Sequence, residues 1–529
     1  MTRRPDARMN TSTTPVPLTD ASPHAVVVGA GFGGLAGAVR LLARGYRVTV
    51  VDRLDQPGGR ARVFRETTDD GTYVFDAGPT LITAPFLFDE LWALNGEKRE
   101  DHVDFVPITP FYRIRFDDDS PGGARVFDYT GDADQMRHQI ARFNPADVKG
   151  YERFLEKSEE IFEVGFTNLG HVPFGRVADM AKIVPAMVAL QSHRTVYGFV
   201  QKYIKDPQLR QVFSFHPLLV GGNPFSTTSI YALIAFLERK WGVWYAMGGT
   251  GAIVTALAEL VERMGGTIRL STEVDEITAE VRPGQKSQVT GVRLASGEQL
   301  PAEVVVSNAD AAWTYRHLVD PAHRQHWTDA RLDKAKLSMS LFVWYFGTDK
   351  QYGDVAHHTI LLGTRYKELL KDIFDKHHLA DDFSLYLHRP TATDPTMAPE
   401  GHDAFYVLSP VPHLDSGDTW DETQTEAYRQ RVQTYLEKTV LPGLGDHLTA
   451  SRTLTPKGFL DDYLSVKGAA FSFEPVLQQS AFFRPHNASE DVAGLFLVGG
   501  GTHPGAGMPG VLSSARVLDT VVPDPSPVA

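Results

Sequence analysis

The chain has no cysteine among its 529 residues. That absence removes disulfides, thiolate nucleophiles and cysteine-ligated metals or clusters together, and it suits a reducing cytoplasm. A run of about 18 apolar residues, the length a spanning helix needs, occurs nowhere. No membrane-crossing helix is therefore expected, although a protein lying on a bilayer is compatible with this pattern. Positive charge is also scarce: 52 Lys and Arg stand against 65 Asp and Glu, a formal net charge of −13 without long basic runs. Nucleic acid is accordingly a poor partner. Residues 1–22 are rich in Thr, Pro, Arg and Asp and lack the apolar segment of a secretory signal, so they read as a mobile tail.

With 42% hydrophobic and 22% charged residues the composition is that of an ordinary globular protein, long enough for two or three domains. The chain is organised around residues 24–62. A short apolar run, Ala25 to Val28, leads at once into Gly29-x-Gly31-x-x-Gly34, and Leu35 to Arg44 then has helical apolar spacing. A second strand pattern, Tyr46 to Val51, ends in Asp52, 21 residues after Gly31. This order of strand, glycine turn, helix, strand and acid is that of a dinucleotide-binding unit. Gly29 permits the turn, Gly31 lets a pyrophosphate approach the backbone, and Gly34 lets helix and strand pack closely. The helix N-terminus offers free N–H groups, and Asp52 stands where a ribose hydroxyl would sit.

The C-terminal end repeats the logic. Leu495 to Val498 has a buried-strand pattern, the loop Gly499 to Gly510 follows, and Val511 to Val517 is compatible with a helix. Leu495 to Ala515 contains no Lys, Arg, Asp or Glu, so Gly500, Gly501, Met508 and Pro509 would offer backbone groups in place of formal charge. A helix starting near Gly510 would aim its N-terminus at a bound group. Between the two ends, a helix is expected over Ala252 to Met264. Strands are expected over Thr267 to Leu270, Val274 to Ala279, Val289 to Leu294 and Glu303 to Ser307. Ile183 to Leu190 and Tyr231 to Leu237 are apolar enough to border a cavity, touch a bilayer surface or fill an ordinary core. The pairs His357-His358 and His377-His378 suggest a metal, but sequence neighbours point apart on a strand or helix and no further partner set is evident. No metal is expected.

After Asp52 comes Pro57-Gly58-Gly59-Arg60, which resembles the loop of amine-oxidase-type flavoproteins and implies FAD, with Arg60 placed to pair with a phosphate. Phe75-Asp76-Ala77-Gly78-Pro79-Thr80 is similar to a segment of the bacterial-type phytoene desaturases. So are Ser214 to Leu218, Gly221 to Phe225, Leu341 to Gly347, Leu387 to Pro390, Leu408 to His413 and Phe483 to His486. The resemblance extends over nearly all of the chain after residue 24. It implies an α/β fold: a discontinuous Rossmann-like FAD-binding domain (23–100, 241–310 and 481–522) with an inserted α+β substrate domain (101–240 and 311–480) that faces a membrane. FAD would be held by Gly29, Gly31, Gly34, Asp52, Gly59, Arg60, Val274, Gly500, Gly501, Met508 and Pro509, Val274 by backbone contact with the adenine.

The activity implied is FAD-dependent desaturation of phytoene to neurosporene or lycopene. The hydrophobic polyene would be taken at the inner face of the cell membrane by a cytoplasmic, peripherally bound protein, with quinone or oxygen as electron acceptor. Each reacting bond lies between double bonds, so hydride loss leaves a delocalised allylic cation, and positioning and dryness carry much of the catalysis. Asp76, His216, Arg389 and His503 fall in family-like segments as candidate proton acceptors. Each also has a structural reading, as a turn acceptor, a core histidine, an ion-pair partner or a loop brace. Two alternatives stand beside this activity: desaturation of another carotene, and a non-enzymatic lipid-binding escort on the same fold.

Overall fold

Five short strands drawn from widely separated stretches form one parallel sheet in the order Leu495–Leu497, Val304–Ser307, His24–Val28, Arg47–Val51, Thr267–Arg269. They are seen in a computed structural model that describes residues 19, 21–117, 123, 125–168, 170, 172–173 and 177–525. The tail expected at 1–22 lies almost wholly outside the described residues. Near-continuous Val and Ala runs suit strands covered on both faces. Successive side chains alternate accordingly: Val27, Val50 and Val306 enter one core with helix Phe32–Ala43, while Val26, Val28, Val51 and Val305 enter another with Val274, Ile277 and Val292. Helix Phe32–Ala43 packs between helices Thr250–Arg263 and Met508–Val521, so all three stretches of this unit meet on one face of the sheet.

Helix Phe32–Ala43 begins three residues before the apolar spacing that announces it, because extended Gly31 caps it and Gly33 and Gly34 join its first turn. Glycine is a poor helix former, so packing overrides propensity here. A Cβ at Gly34 would lie 1.9 Å from the Gly29 carbonyl oxygen, and only a hydrogen fits. Helix Met508–Val521 likewise starts ahead of Gly510, with Pro509 in its first turn where a missing N–H costs nothing.

A second sheet of seven strands runs Leu448–Leu454, Ser340–Thr348, Asp403–Val411, Leu385–His388, His358–Leu362, Tyr112–Phe116, Val126–Tyr129. Every residue of its strand Ser340–Thr348 is buried. Phe342, Trp344 and Phe346 enter a core with Trp420 and Tyr428, whereas Leu341, Val343 and Tyr345 pack on Phe64, Tyr73 and Phe75 of the hairpin Val63–Thr68/Gly71–Asp76. The Tyr345 hydroxyl donates to the Ala77 carbonyl at 2.5 Å and that of Tyr406 to Gly78 at 3.1 Å, pinning the second sheet to the segment that follows the hairpin. Helices Val148–Phe162 and Leu233–Trp241 pack against each other, and their Phe154 and Ala235 share a core with Tyr112 and Ile360 of this sheet; helix Val177–Ala189 lies between them in the chain. The result is the mixed α/β fold that the sequence implies. Among the described residues, no helix is long and apolar enough to cross a membrane.

Candidate functional site

One cavity of about 560 Å³ runs from the glycine turn of the parallel sheet to the aromatic face of the seven-stranded sheet. Gly29, Gly31, Asp52, Gly59, Arg60, Val274, Gly500, Gly501, Met508 and Pro509 all line it. Gly34 does not, and its contact with Gly29 accounts for it as the packing glycine. Gly29 has φ +97°, a conformation side chains resist. A Cβ at Gly31 or Gly33 would meet the Asn308 side-chain amide at 2.8 or 2.4 Å, so the strand end Val304–Ser307 delivers Asn308 into the crevice of the glycine turn.

Asp52 accepts from the Ala30 N–H at 2.6 Å and from the Leu54 N–H at 2.9 Å. Burial raises its pKa, and those two backbone bonds work against the rise. Each carboxylate oxygen keeps lone-pair capacity for a hydroxyl. Arg60 donates to Ser465 Oγ at 2.5 Å, and its buried Nε has no partner. Burial lowers its pKa, partly countered by Asp310, as for a cation that lacks a full counter-charge. The glycine loop after Leu497 is braced from behind: Arg484 donates to the Gly500 carbonyl at 2.6 Å and Asn487 to that of His503 at 2.9 Å. Glycine cradle, free acceptor positions and an under-compensated arginine together fit a dinucleotide with an anionic centre.

Beyond this end the wall is apolar, formed by Phe215, Leu218, Ile230, Leu233, Ile234, Leu237, Ile360 and Leu408, with the rings of Tyr112, Tyr386 and Tyr406. Both apolar central segments reach it: Ile183 and Met187 from helix Val177–Ala189, and Tyr231 to Leu237 from the turn Ser229–Ala232 and the helix that continues it.

The four residues considered as proton acceptors are scattered. His503 lines the cavity, in the glycine loop. His216 lies behind the wall and faces it through Glu238, whose Oε2 is 3.1 Å from His216 Nε2. Asp76 accepts from the Gly251 N–H at 3.1 Å, at the start of helix Thr250–Arg263. Burial pushes its pKa up to about 6, against the pull of backbone N–H groups. Arg389 is bound to Asp403 at 2.9 Å, both side chains buried. Asn308 follows the strand Val304–Ser307, whose end the flavoprotein resemblance places beside the cofactor, whereas Glu238 was not singled out by the sequence. Glu238 had a readable signal: it falls on the face of Ile234, Leu237 and Trp241, an acid at apolar helical spacing.

The paired histidines require a correction. His357, His358 and His388 present ring nitrogens within 4.8 Å of one another, so His357 and His358 do not diverge and a third partner exists. His357 precedes the strand His358–Leu362, where pleat alternation does not yet apply, and His388 is the direct cross-strand partner of His358. Thr393 Oγ lies 2.7 Å from His357 Nδ1, the Tyr386 hydroxyl 2.8 Å from His358 Nδ1, and the Nε2 atoms of His357 and His388 are 3.1 Å apart. Burial drives the His357 pKa down to about 3 and those of His358 and His388 well below the usual imidazole range, so the cluster is neutral.

A family profile described as flavin containing amine oxidoreductase matches residues 32–517. A neurosporene-forming phytoene desaturase of Rhodobacter capsulatus is 48% identical over 96% of this chain and 95% of its own length. A lycopene-forming phytoene desaturase of a Paracoccus species is 47% identical over 95% and 97%. Among solved structures, a putrescine oxidase double mutant superposes with TM-score 0.61 at 13% identity, covering 95% of this chain and 99% of that one. An oxidoreductase from Methanosarcina mazei superposes with TM-score 0.59 at 17% identity, covering 94% and 100%. The structures speak for the fold and the sequence relatives for the lineage: the chain belongs to the flavin containing amine oxidoreductases, in their phytoene desaturase branch.

Proposed function

We propose that the protein is an FAD-dependent desaturase that converts phytoene to neurosporene or lycopene. The observation that carries the reading is the continuity of the cavity, which joins a dinucleotide cradle at one end to an apolar chamber at the other, in a chain about half identical to phytoene desaturases. Bound FAD supplies the two-electron acceptor. Gly29, Gly31 and the N-terminus of helix Phe32–Ala43 would hold its pyrophosphate, Asp52 would take ribose hydroxyls, and Val274 would meet the adenine through its backbone. Gly59, Gly500, Gly501, Met508 and Pro509 would offer backbone groups to the rest of the cofactor, and Arg60 would pair with a phosphate charge. The N-terminal dipole of the helix starting at Met508 would favour negative charge on a cofactor held there.

The polyene has no polar group to recognise, so the walls select by shape and exclude water. Burying a methylene from water is worth about 0.8 kcal/mol, little of which is gained by a substrate that arrives from lipid. Delivery from the inner face of the cell membrane is therefore the favoured route for a peripherally bound cytoplasmic protein. Val184 and Val188 support it: they are 47% and 63% exposed, one helical turn apart on the helix whose Ile183 and Met187 line the cavity. Quinone in the same bilayer, or oxygen, then receives the electrons.

The test is incubation of purified protein with FAD and phytoene-loaded liposomes, with oxygen and quinone supplied in turn. New long-wavelength polyene bands are expected, and their positions count the double bonds added. Unchanged phytoene in the presence of bound flavin refutes the substrate and directs the search to other carotenes. Failure to bind flavin would favour an escort.

A further inference from the structure

Desaturation removes a hydride from one carbon and a proton from its neighbour, so a positively charged polyene needs a proton acceptor within reach. Among the described residues five carboxylates line the cavity: Asp52, Glu238, Glu273, Asp310 and Asp462. Four have other employment, away from the apolar chamber. Asp52 accepts from the backbone at the glycine turn, Glu273 sits near Arg53 beside Val274, Asp310 caps the turn at Ala311–Trp313, and Asp462 is paired with Arg62. Glu238 alone stands among Ile234, Leu237, Phe215 and Tyr112.

Glu238 is fully buried. Its Oε1 accepts from the Tyr112 hydroxyl at 2.6 Å, and its Oε2 faces His216 Nε2 at 3.1 Å. No arginine or lysine is paired with it among the described residues. A carboxyl group in an apolar wall without a fixed cation is costly to keep. We propose that Glu238 is the proton acceptor of the desaturation and stabilises the cation that forms on the polyene, and that His216 and Tyr112 are its positioning residues. The inference rests on the polyene reading given above. Flavin, when bound, would supply the acceptor for the hydrogen and electron pair lost from one allylic carbon. The C–H bond of the neighbouring carbon then breaks, its electron pair becomes the new double bond, and the proton passes to a Glu238 oxygen and on toward His216 Nε2. Two hydrogens and two electrons leave the substrate.

A purely structural Glu238 would tie helix Leu233–Trp241 to strand Tyr112–Phe116 and to the turn His216–Val220, and Gln would serve that purpose nearly as well. The test therefore pairs turnover with binding, on holoenzyme. The probe is a long isoprenoid chain with a protonated tertiary amine near its middle, compared with a hydrocarbon of equal length by competition for the cavity. Wild type should prefer the amine by about tenfold or more, as expected of a group that stabilises a cationic transition state. Glu238→Gln should lose that preference while keeping flavin and hydrocarbon binding, and its turnover should fall by about 10²–10⁴-fold. Glu238→Asp should recover part of both. The proposal is overturned if Glu238→Gln desaturates at the wild-type rate, or if wild type itself shows no preference for the amine. The latter measurement needs no variant to fold. A wild type that prefers the amine but desaturates no polyene removes the proton-acceptor role together with the reaction reading, whereas a working desaturase without that preference removes the role alone.

Discussion

Arg389 donates from Nε to Asp403 Oδ2 and from Nη1 to the Val355 carbonyl, and Asp403 also accepts from Tyr352 N–H and Thr391 Oγ. The network is satisfied within itself, and neither charge lines the cavity. Arg389→Leu should therefore lower stability by about 3–5 kcal/mol, because it strands a buried carboxylate. Turnover per folded, flavin-loaded molecule should stay near wild type. Denaturant melts and flavin-normalised rates decide it; a collapse of rate at unchanged stability would place Arg389 in the chemistry.

Asp76 presents the opposite case, a buried acid held mostly by backbone. Its pKa of about 6 exceeds that of an unfolded aspartate, so the folded state binds the extra proton between roughly pH 4 and 6. The group costs nothing below pH 4, and its penalty grows as pH rises to 6 and is constant above, reaching about 3 kcal/mol. Asp76→Asn should remove that component, so that the stability gap between variant and wild type widens in favour of the variant from pH 4 to 6. Melting curves across this range are the measurement, and a constant gap would contradict it.

Among the elements, helix Val177–Ala189 carries two tasks on neighbouring faces. Ile183 and Met187 close the cavity while Val184 and Val188 meet solvent. If this helix is the lipid contact proposed above, charges at the outer pair should weaken lipid binding without disturbing the interior. Val184→Asp with Val188→Asp should reduce co-flotation with anionic liposomes and slow use of liposomal phytoene, with flavin content unchanged. Equal flotation of the two proteins would assign the helix to the cavity wall alone.

At the scale of the whole molecule, the parallel sheet is assembled from stretches that begin at residues 24, 267 and 495, so the proposed flavin site would link their mutual docking to cofactor binding. A ligand that binds only the folded state stabilises it by RT ln(1 + [L]/Kd), about 2.7 kcal/mol at a hundredfold excess over Kd. The melting temperature of the flavin-stripped protein should rise with added FAD, and proteolysis in all three stretches should slow together. Protection confined to residues 24–62 would mean that the C-terminal loop does not take part.

The sequence by itself determined whatever is built from contiguous residues. The turn Gly29 to Gly34, Asp52 at the end of the next strand, and the uncharged loop after Leu497 are local in chain and local in space, so residue type and spacing suffice to read them. The fold class followed from the order of strand, glycine turn, helix, strand and acid over residues 24–62 and from the resemblance of many further segments to a known flavoprotein family. Element starts were less legible: Phe32 and Met508 open their helices earlier than apolar spacing indicates, since a close glycine contact and a tolerated proline are tertiary matters. The tertiary structure alone decided which polar groups meet. His388 reaches His357 and His358 through strand register, and Tyr112, His216 and Glu238 converge from a strand, a turn and a helix. A hydrogen bond between residues 126 apart in sequence leaves no periodic trace, because it depends on how elements pack and not on what either element needs in order to form.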